Sequence, residues 1–239
     1  MAPHEDIINK QIMILSDLST AIDDERRKTG TSFIAAAEKT RYINQALQAL
    51  SNNNDFYEQE TTNNFSYVPG TSTYTINALS AIAPNHKTKD SVISITATSS
   101  TTKFFERINP ETFPHLTTGN YFAIAGRDLW VMHDGVSGDT LTTRYISNYV
   151  GYTSGATLSA SLTASTDEPL QDMDPEAIIA YALYKIFKKE GKKDDWQEAK
   201  HRYDEILKTL QQDSKYHRAN VYDRMTFESG YNTDWVRRI

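Results

Sequence analysis

The spacing of apolar residues changes period near residue 51, and that change most limits what this chain can fold into. Before it, Ile43, Leu47 and Leu50 recur at steps of three and four, which places them on one face of a helix. The short polar residues at 51–54 are expected to end that helix, because their side chains compete for backbone hydrogen bonds. Beyond them, β-branched and aromatic residues surround a Pro-Gly turn at 69–70, which is typical of extended strands.

Helical spacing returns later in the chain, so we expect helices, then strands, then helices again. Two helices are predicted at about residues 5–28 and 32–50, and two more within residues 167–214. We therefore predict the α+β class: a four-helix bundle of two N-terminal and two C-terminal helices, an inserted antiparallel β-rich segment, and an extended C-terminal tail. The predicted divisions are residues 1–60, 61–166, 167–214 and 215–239.

The middle segment is predicted to form a small antiparallel sheet or a partial barrel. The polar stretches at 77–90 and 109–119 are expected to be loops, and Pro84 interrupts the first. A Gly-Arg-Asp turn at 126–128 is expected between two strands. The predicted strands are residues 65–67, 73–76, 92–98, 121–125, 129–133, 141–150 and 157–164.

Local signals at the helix ends support this order. Asp174 followed by Pro175 predicts a helix start, because aspartate caps free N–H groups and proline suits the first helical position. Gly191 is expected to end that helix, and Asp194 to begin the next one. Earlier in the chain, Ser32 is the candidate N-cap of the second helix.

Charge and cysteine content argue against several classes of protein. The net charge of -6 at pH 7 argues against gripping nucleic acid through its phosphates. The chain has no cysteine, so we expect no disulfide framework, thiolate zinc site or cysteine nucleophile. The sequence shows neither a signal-peptide pattern nor an apolar run of membrane length, which predicts a protein made and used in the cytoplasm, with no membrane partner.

The C-terminal residues 211–239 show no sustained period but are rich in aromatic and arginine side chains. Those residue types are enriched at binding hot spots, whereas most chain ends are simply disordered. We favour a tail that becomes ordered on a partner. The residues predicted to make that contact are Tyr216, Tyr222, Phe227, Tyr231, Trp235, Arg237 and Arg238.

No catalytic residue, metal site or cofactor is predicted. The sequence has no Gly-rich phosphate loop, nucleophile elbow or paired-histidine zinc helix. His133-Asp134 is interpreted as a turn pair rather than as half of a catalytic arrangement. The acidic residues at 167–176 lack the spacing of a calcium loop, and helix capping explains two of them. The lysines at 188–193 are interpreted as a solvated helix end, with contact to DNA or phosphate as the alternative.

Several short segments, spread over about residues 5–214, follow one another in an informative order. They are Tyr42-Ile43-Asn44-Gln45-Ala46-Leu47, Asp55-Phe56-Tyr57-Glu58, Phe65 with Val68-Pro69-Gly70-Thr71-Ser72-Thr73-Tyr74, Phe104-Phe105-Glu106-Arg107-Ile108 with Pro110 and Phe113, Pro175-Glu176-Ala177-Ile178-Ile179-Ala180-Tyr181-Ala182, and Ala199 with Tyr203 and Leu207. This order resembles the head-to-tail adaptor (connector) family of tailed bacteriophages. The large middle segment and long tail are more similar to the adaptors of short-tailed phages.

The resemblance implies a structural protein of the virion, not an enzyme. About twelve copies would form a ring beneath the portal, joining capsid to tail and lining the channel. The C-terminal tail would dock on the portal protein, and the β segment would face a tail or nozzle protein. DNA would cross the ring without specific binding, which suits an acidic chain. Assembly would occur in the host cytoplasm, and the protein would reside in the virion neck and serve genome ejection.

Two other functions are alternatives at this point. One is a tail-associated β-domain binding module on a helical stalk, acting on the receptor side or as a tail accessory protein, which should form a trimer by itself. The other is an enzyme, such as one that degrades cell walls. An enzyme of that kind needs an acid/base pair in a cleft, and the sequence does not identify one.

Overall fold

The computed structural model describes residues 13–28, 34–68, 74–88, 91–98, 102–134, 138–154 and 156–228. Over these residues the fold is α+β, as predicted. The helices are α1 (Leu15–Lys28), α2 (Ala36–Asn53), α3 (Leu79–Ile82), α4 (Pro175–Glu190) and α5 (Lys193–Glu228). The strands are β1 (Glu60–Ser66), β2 (Thr75–Ala78), β3 (Val92–Thr98), β4 (Thr102–Phe104), β5 (Glu106–Arg107), β6 (Tyr121–Ala125), β7 (Asp128–Met132), β8 (Thr140–Ile146), β9 (Gly151–Tyr152), β10 (Leu158–Ser159) and β11 (Glu168–Pro169).

The chain divides into two compact units. The helical unit joins the residues up to Phe56 with those from Leu162 onward, so it is assembled from two separate parts of the sequence. The β unit takes in the uninterrupted stretch Tyr57–Ser161. Each unit has buried apolar side chains of its own.

In the helical unit, α4 packs against each of α1, α2 and α5, and α1 also packs against α2. The apolar faces predicted from the sequence are buried in these contacts. The fully buried residues include Leu18 and Ile22 of α1, Ile43 and Leu47 of α2, and Ile186 of α4. Burying a side chain of this size contributes about 2 kcal/mol each. The amphipathic pattern thus accounts for why these helices associate.

The ends of α4 confirm the predicted signals. Asp174 is the N-cap, and its carboxylate accepts hydrogen bonds from the N–H groups of Glu176 and Ala177. Pro175 occupies the first turn, where no N–H is needed. Gly191 adopts φ +74°, a left-handed conformation that glycine reaches without steric cost.

Within its described residues, the β unit contains two four-stranded sheets rather than one. The first has the order β1-β8-β3-β4 and is antiparallel throughout. The second has the order β2-β7-β6-β5, in which the pairing of β5 with β6 is parallel. The prediction of an antiparallel segment is therefore correct except for this last pair. In addition, β9 and β10 form a short antiparallel pair.

The core of the β unit follows from the alternation of side chains along its strands. In β8, Leu141, Thr143 and Tyr145 are buried, and the residues between them are partly exposed. Both sheets contribute to one hydrophobic cluster. Its members include Leu79, Ile82, Val92, Ile95, Phe122, Leu129, Val131, Leu141 and Tyr145.

Two predicted loops contain regular structure that apolar spacing does not reveal. The stretch 77–90 holds the end of β2 and the four-residue α3, whose Leu79 and Ile82 are buried. The stretch 109–119 holds a 3-10 turn at Phe113–His115, and Phe113 is fully buried. Elements this short span about one turn, so they show no repeat in the sequence.

Helix α2 also differs from its prediction at both ends. It begins at Ala36, with Ala35 at the N-cap position, while the predicted cap Ser32 lies outside the described residues. It continues to Asn53, past the polar run that was expected to end it. Ser51 is buried and Asn54 is the C-cap, so tertiary packing outweighs the weak helix propensity of these residues.

The extended tail predicted from residue 215 is wrong over 215–228, because α5 is a single helix of 36 residues that reaches Glu228. The sequence from 193 to 228 contains neither glycine nor proline. Once a helix is nucleated, each further residue adds one hydrogen bond, so a stretch without breakers continues even without apolar spacing. Residues 229–239 lie outside the described part of the chain.

Candidate functional site

The hairpin formed by α4 and α5 carries a surface on which aromatic rings and charged groups lie together. The two helices are joined by a tight turn, in which the Gly191 N–H donates to the Lys188 carbonyl and the Lys192 N–H donates to the Phe187 carbonyl. The helix that follows begins at Lys193, one residue before the predicted start. This turn places side chains of the end of α4 beside those of the start of α5.

One side of the hairpin combines aromatic rings with ammonium groups. The Lys185 ammonium lies 5.2 Å from the ring centre of Tyr181 and 5.3 Å from that of Tyr184. The Lys188 ammonium lies 5.5 Å from the ring centre of Tyr184 and 6.0 Å from that of Trp196. These are cation–π distances, which hold the lysines against the rings. We call Tyr181, Tyr184, Lys185, Lys188 and Trp196 the basic–aromatic stripe.

A groove of about 130 Å³ lies between α1, α4 and α5. Four of its lining residues are buried and apolar: Ala180, Leu183, Phe187 and Ala199. The other four are charged and at least partly exposed: Glu25, Asp195, Glu198 and Arg202. Three carboxylates and one guanidinium therefore line the groove. The Arg202 guanidinium lies 3.1 Å from Glu176, and the Lys192 ammonium lies 3.9 Å from Asp195. We call this feature the acidic groove.

Ion pairs hold the end of α4 to its neighbours. Arg26 Nη2 of α1 lies 2.6 Å from Glu190 Oε1. Lys189 Nζ lies 2.5 Å from Glu38 Oε1 of α2. The hydrogen bond from Lys189 lowers the pKa of the Glu38 carboxyl, and the same bond raises the pKa of Lys189. The end of α4 that bears the stripe is thus fixed to two other helices.

The residues predicted to form the docking tail divide into two groups. Tyr216, Tyr222 and Phe227 lie within the helical backbone of α5. The remaining four lie outside the described residues: Tyr231, Trp235, Arg237 and Arg238. The predicted partner contact therefore begins on a helix rather than on an extended segment.

His133 is buried and held on both sides. Its Nδ1 lies 2.7 Å from Asn120 Oδ1, and its Nε2 lies 2.9 Å from Asp139 Oδ2. The ring packs between Tyr67 and Phe105, with ring centres 5.2 and 5.3 Å away. This arrangement ties the end of β7 to neighbouring segments of the β unit.

The acidic residues near the start of α4 have structural partners. The Asp167 carboxylate accepts hydrogen bonds from the N–H groups of Thr163 and Ala164, at 2.7 and 2.8 Å. Asp174 caps α4. In the part of the chain that the structure describes, no three histidine or acidic side chains come together as metal ligands would.

The sequence comparison gives the family. A sequence model of the SU10 adaptor protein family matches residues 13–224, which is most of the chain. The chain belongs to the SU10 adaptor protein family. The resemblance to the phage head-to-tail adaptor family that was drawn from the sequence is thereby confirmed. A member of the SU10 adaptor family is a phage adaptor, a structural component of the virion that works with portal or tail components.

No curated protein matches the chain significantly. Within the described residues, no helix is both long enough and apolar enough to cross a bilayer.

Sequence reasoning found only part of the hairpin surface of this SU10 adaptor. The lysines at 188–193 indicate a basic helix end, but their sequence positions alone do not connect them with the aromatic residues. The spacing of Tyr181, Tyr184, Lys185 and Lys188 at i, i+3, i+4 and i+7 already places them on one helical face. Trp196 comes from α5, and the acidic groove combines residues of α1, α4 and α5, so only the folded helical unit brings these groups together.

Proposed function

We propose that this chain forms a ring beneath the portal, where it joins the capsid to the tail and lines the channel for DNA passage. The family match over residues 13–224 is the observation that carries this proposal. About twelve copies would form a closed ring of identical contacts. In each copy, α1, α2, α4 and α5 would act as a four-helix bundle, and the ring would sit in the virion neck during genome ejection.

Helix α5 is the candidate arm toward the portal. Its 36 residues correspond to about 54 Å of helix, whereas the 16 residues of α4 correspond to about 24 Å. Buried side chains occur only in its first part, at Ala199 and Tyr203, among the residues whose side chains are described. Most helical stability in proteins comes from packing of one helix face, so contact with a partner would stabilise the part of α5 that follows Tyr203.

The proposed portal contact uses the predicted tail residues in their helical setting. Tyr216, Tyr222 and Phe227 lie on α5, and the aromatic and arginine residues after Glu228 would extend the contact. Aromatic and arginine side chains are the types that dominate binding energy at interfaces. Arg237 and Arg238 would pair with acidic groups of the portal protein.

The β unit is the candidate surface for the tail or nozzle protein. Three of its large apolar side chains are exposed: Val68 at 64%, Ile76 at 55% and Phe104 at 67%. Ile76 lies on the edge strand β2 and Phe104 on the edge strand β4, where unpaired backbone groups favour contact with another chain. The net charge of -6 suits a channel wall past which DNA moves without being held.

Co-expression with the portal protein of the same genome tests this function. We expect a ring of added density beneath the portal in electron micrographs of the purified complex. A chain that does not associate with the portal, and that runs as a stable trimer alone, would instead support the β-domain binding module.

Two truncations locate the portal contact within the C-terminal region. Ending the chain after Glu228 removes only the last four predicted contact residues, and ending it after Lys215 removes all seven. We expect portal binding to be weakened by the first truncation and abolished by the second, with the helical signal of the remaining residues kept. Phe104→Ser in the β unit is the matched control, because it removes an exposed aromatic ring elsewhere. Full binding by the chain that ends at Lys215 would remove the tail from the proposal.

A further inference from the structure

The two surfaces of the α4–α5 hairpin are complementary in charge and shape. We propose that the acidic groove of one copy receives the basic–aromatic stripe of a second copy, in a contact that repeats head to tail. This inference rests on the proposed ring, and it names the surfaces that would form the ring contact.

The acidic groove has the size of a side-chain socket. Its volume of about 130 Å³ falls below the range of about 300–1,000 Å³ that is usual for small-molecule ligands. It is close to the cavity of about 150 Å³ that accommodates one benzene-sized group. The groove therefore fits one long or aromatic side chain of a partner rather than a cofactor.

The lining of the groove selects a cation with an apolar stem. Leu183 and Phe187 offer a buried apolar wall, being 5% and 4% exposed. Around them, the carboxylates of Glu25, Asp195 and Glu198 line the groove with the Arg202 guanidinium. Arg202 is paired with Glu176 and Lys192 with Asp195, so carboxylates still outnumber cations at this rim. A lysine places its methylene groups on apolar surface and its ammonium among polar groups, which matches this lining.

The stripe supplies such lysines. Within the described residues, neither Lys185 nor Lys188 makes an ion pair with a carboxylate, whereas the neighbouring Lys189 is bonded to Glu38. Lys185 is half-buried and Lys188 is exposed, and both lie over aromatic rings. These two ammonium groups are positioned by the rings and still available to carboxylates of another copy.

The placement of the two surfaces makes the contact intermolecular. On α4, the stripe residues and the groove residues are rotated by about a third of a turn from each other, at 3.6 residues per turn. A two-fold contact through either surface would bring like charges together. Joining stripe to groove gives a heterologous contact, which generates a ring when the rotation closes.

A nucleic acid is the competing occupant of the stripe, because lysines and aromatic rings also suit phosphates and bases. The acidic groove on the same hairpin and the net charge of -6 favour a second copy of this chain instead. Loss of short-duplex binding on changing the stripe, with assembly unaffected, would identify nucleic acid as the occupant and overturn the proposal.

Engineered cysteines provide the direct test, since the native chain contains none. One preparation carries Lys188→Cys and another carries Glu198→Cys, and the two are mixed, assembled on the portal and treated with a short bifunctional maleimide. We expect a covalent dimer from the mixture and none from either variant alone. Lys208→Cys mixed with Glu198→Cys is the matched control, because Lys208 is exposed on α5 outside the stripe. A ring that assembles without a Lys188–Glu198 product would overturn the proposal.

The same mixture without portal separates this inference from the proposed function. A covalent dimer of the free chain at high concentration would support the stripe–groove contact even if no portal complex formed. Absence of the product in both settings would overturn it. Charge reversal provides a second test. Lys188→Glu alone or Glu198→Lys alone is expected to weaken self-association by about tenfold or more. Mixing the two variants is expected to restore association between unlike copies, because each contact then joins opposite charges again.

Discussion

Arg26 and Glu190 form an ion pair in the interior of the helical unit, with Nη2 and Oε1 2.6 Å apart and the arginine side chain only 4% exposed. The pair joins α1 to the last residue of α4. Replacing Arg26 by methionine is expected to lower the free energy of unfolding by about 3 kcal/mol, because the Glu190 carboxylate would lose its guanidinium partner while largely buried. Urea unfolding followed by far-UV circular dichroism measures this loss.

Arg27→Met is the matched control for that experiment. Arg27 lies 3.3 Å from Asp24, but the two side chains are 79% and 57% exposed. Water screens such a pair, so this substitution should cost less than about 1 kcal/mol. Equal losses for the two variants would contradict the assigned role of burial.

Substitutions of Gly191 test the turn that joins α4 to α5 in the hairpin. A side chain added here would meet no atom within 4 Å, so the cost comes only from the backbone at φ +74°. Gly191→Ala is expected to lower the unfolding free energy by about 1 kcal/mol, and Gly191→Asn by less, because asparagine tolerates the left-handed region. Urea midpoints of the two variants decide the point, and an alanine variant as stable as the native chain would count against it.

Lys87 makes the stability of the β unit depend on pH. Burial lowers its pKa from 10.5 to about 8, because the charged form is poorly solvated. Between these values the unfolded chain holds a proton that the folded chain has lost, so stability rises with pH across that window. Lys87→Met removes this effect and should stabilise the unit at pH 7 by about 1 kcal/mol, a value reduced for the partial exposure of the side chain.

The difference between native chain and Lys87→Met should shrink as the pH rises from 8 toward 10.5. Tryptophan fluorescence in urea follows the β unit through Trp130 when all variants also carry Trp196→Phe and Trp235→Phe. Lys103→Met serves as the comparison, since the Lys103 ammonium donates a hydrogen bond to Asp134 at 2.8 Å and its loss should bring no gain. A pH-independent difference would show that the ammonium of Lys87 is not the cause.

The helical form of the C-terminal arm can be tested at Ala219, which lies within α5. Proline there removes one backbone hydrogen bond and clashes with the preceding turn, at a cost of about 3 kcal/mol, whereas glycine costs about 1 kcal/mol. We expect Ala219→Pro to lose helical signal and portal binding, and Ala219→Gly to keep most of both. Circular dichroism and co-purification with the portal measure the two effects, and a proline variant that binds normally would remove the helix from the contact.

The parts of the fold that the sequence predicts well are those with local signals. The capping aspartate before Pro175 and the glycine at 191 fix the ends of α4 without reference to the rest of the chain. Strands β3 and β6 have the predicted bounds, because their β-branched and aromatic runs are long enough to be distinct.

The parts that the sequence does not predict depend on packing or on length. The four-residue α3 is too short to show a period, and α2 continues through 51–53 because Ser51 is buried. Helix α5 extends through residues without apolar spacing, and the absence of glycine and proline predicts this extension better than the spacing does. The acidic groove combines three helices from distant parts of the chain, so no sequence window contains it.

The division of the helical unit between the two parts of the chain has a consequence for synthesis on the ribosome. Helices α1 and α2 are complete by Asn53, but α4, against which both pack, begins only at Pro175. The roughly 120 residues between them take on the order of 10 s to translate. During that interval α1 and α2 have only each other as native partners, and the surfaces that α4 later covers stay exposed on the nascent chain. The β unit, which is continuous in sequence, is complete before α4 and can fold during the same interval.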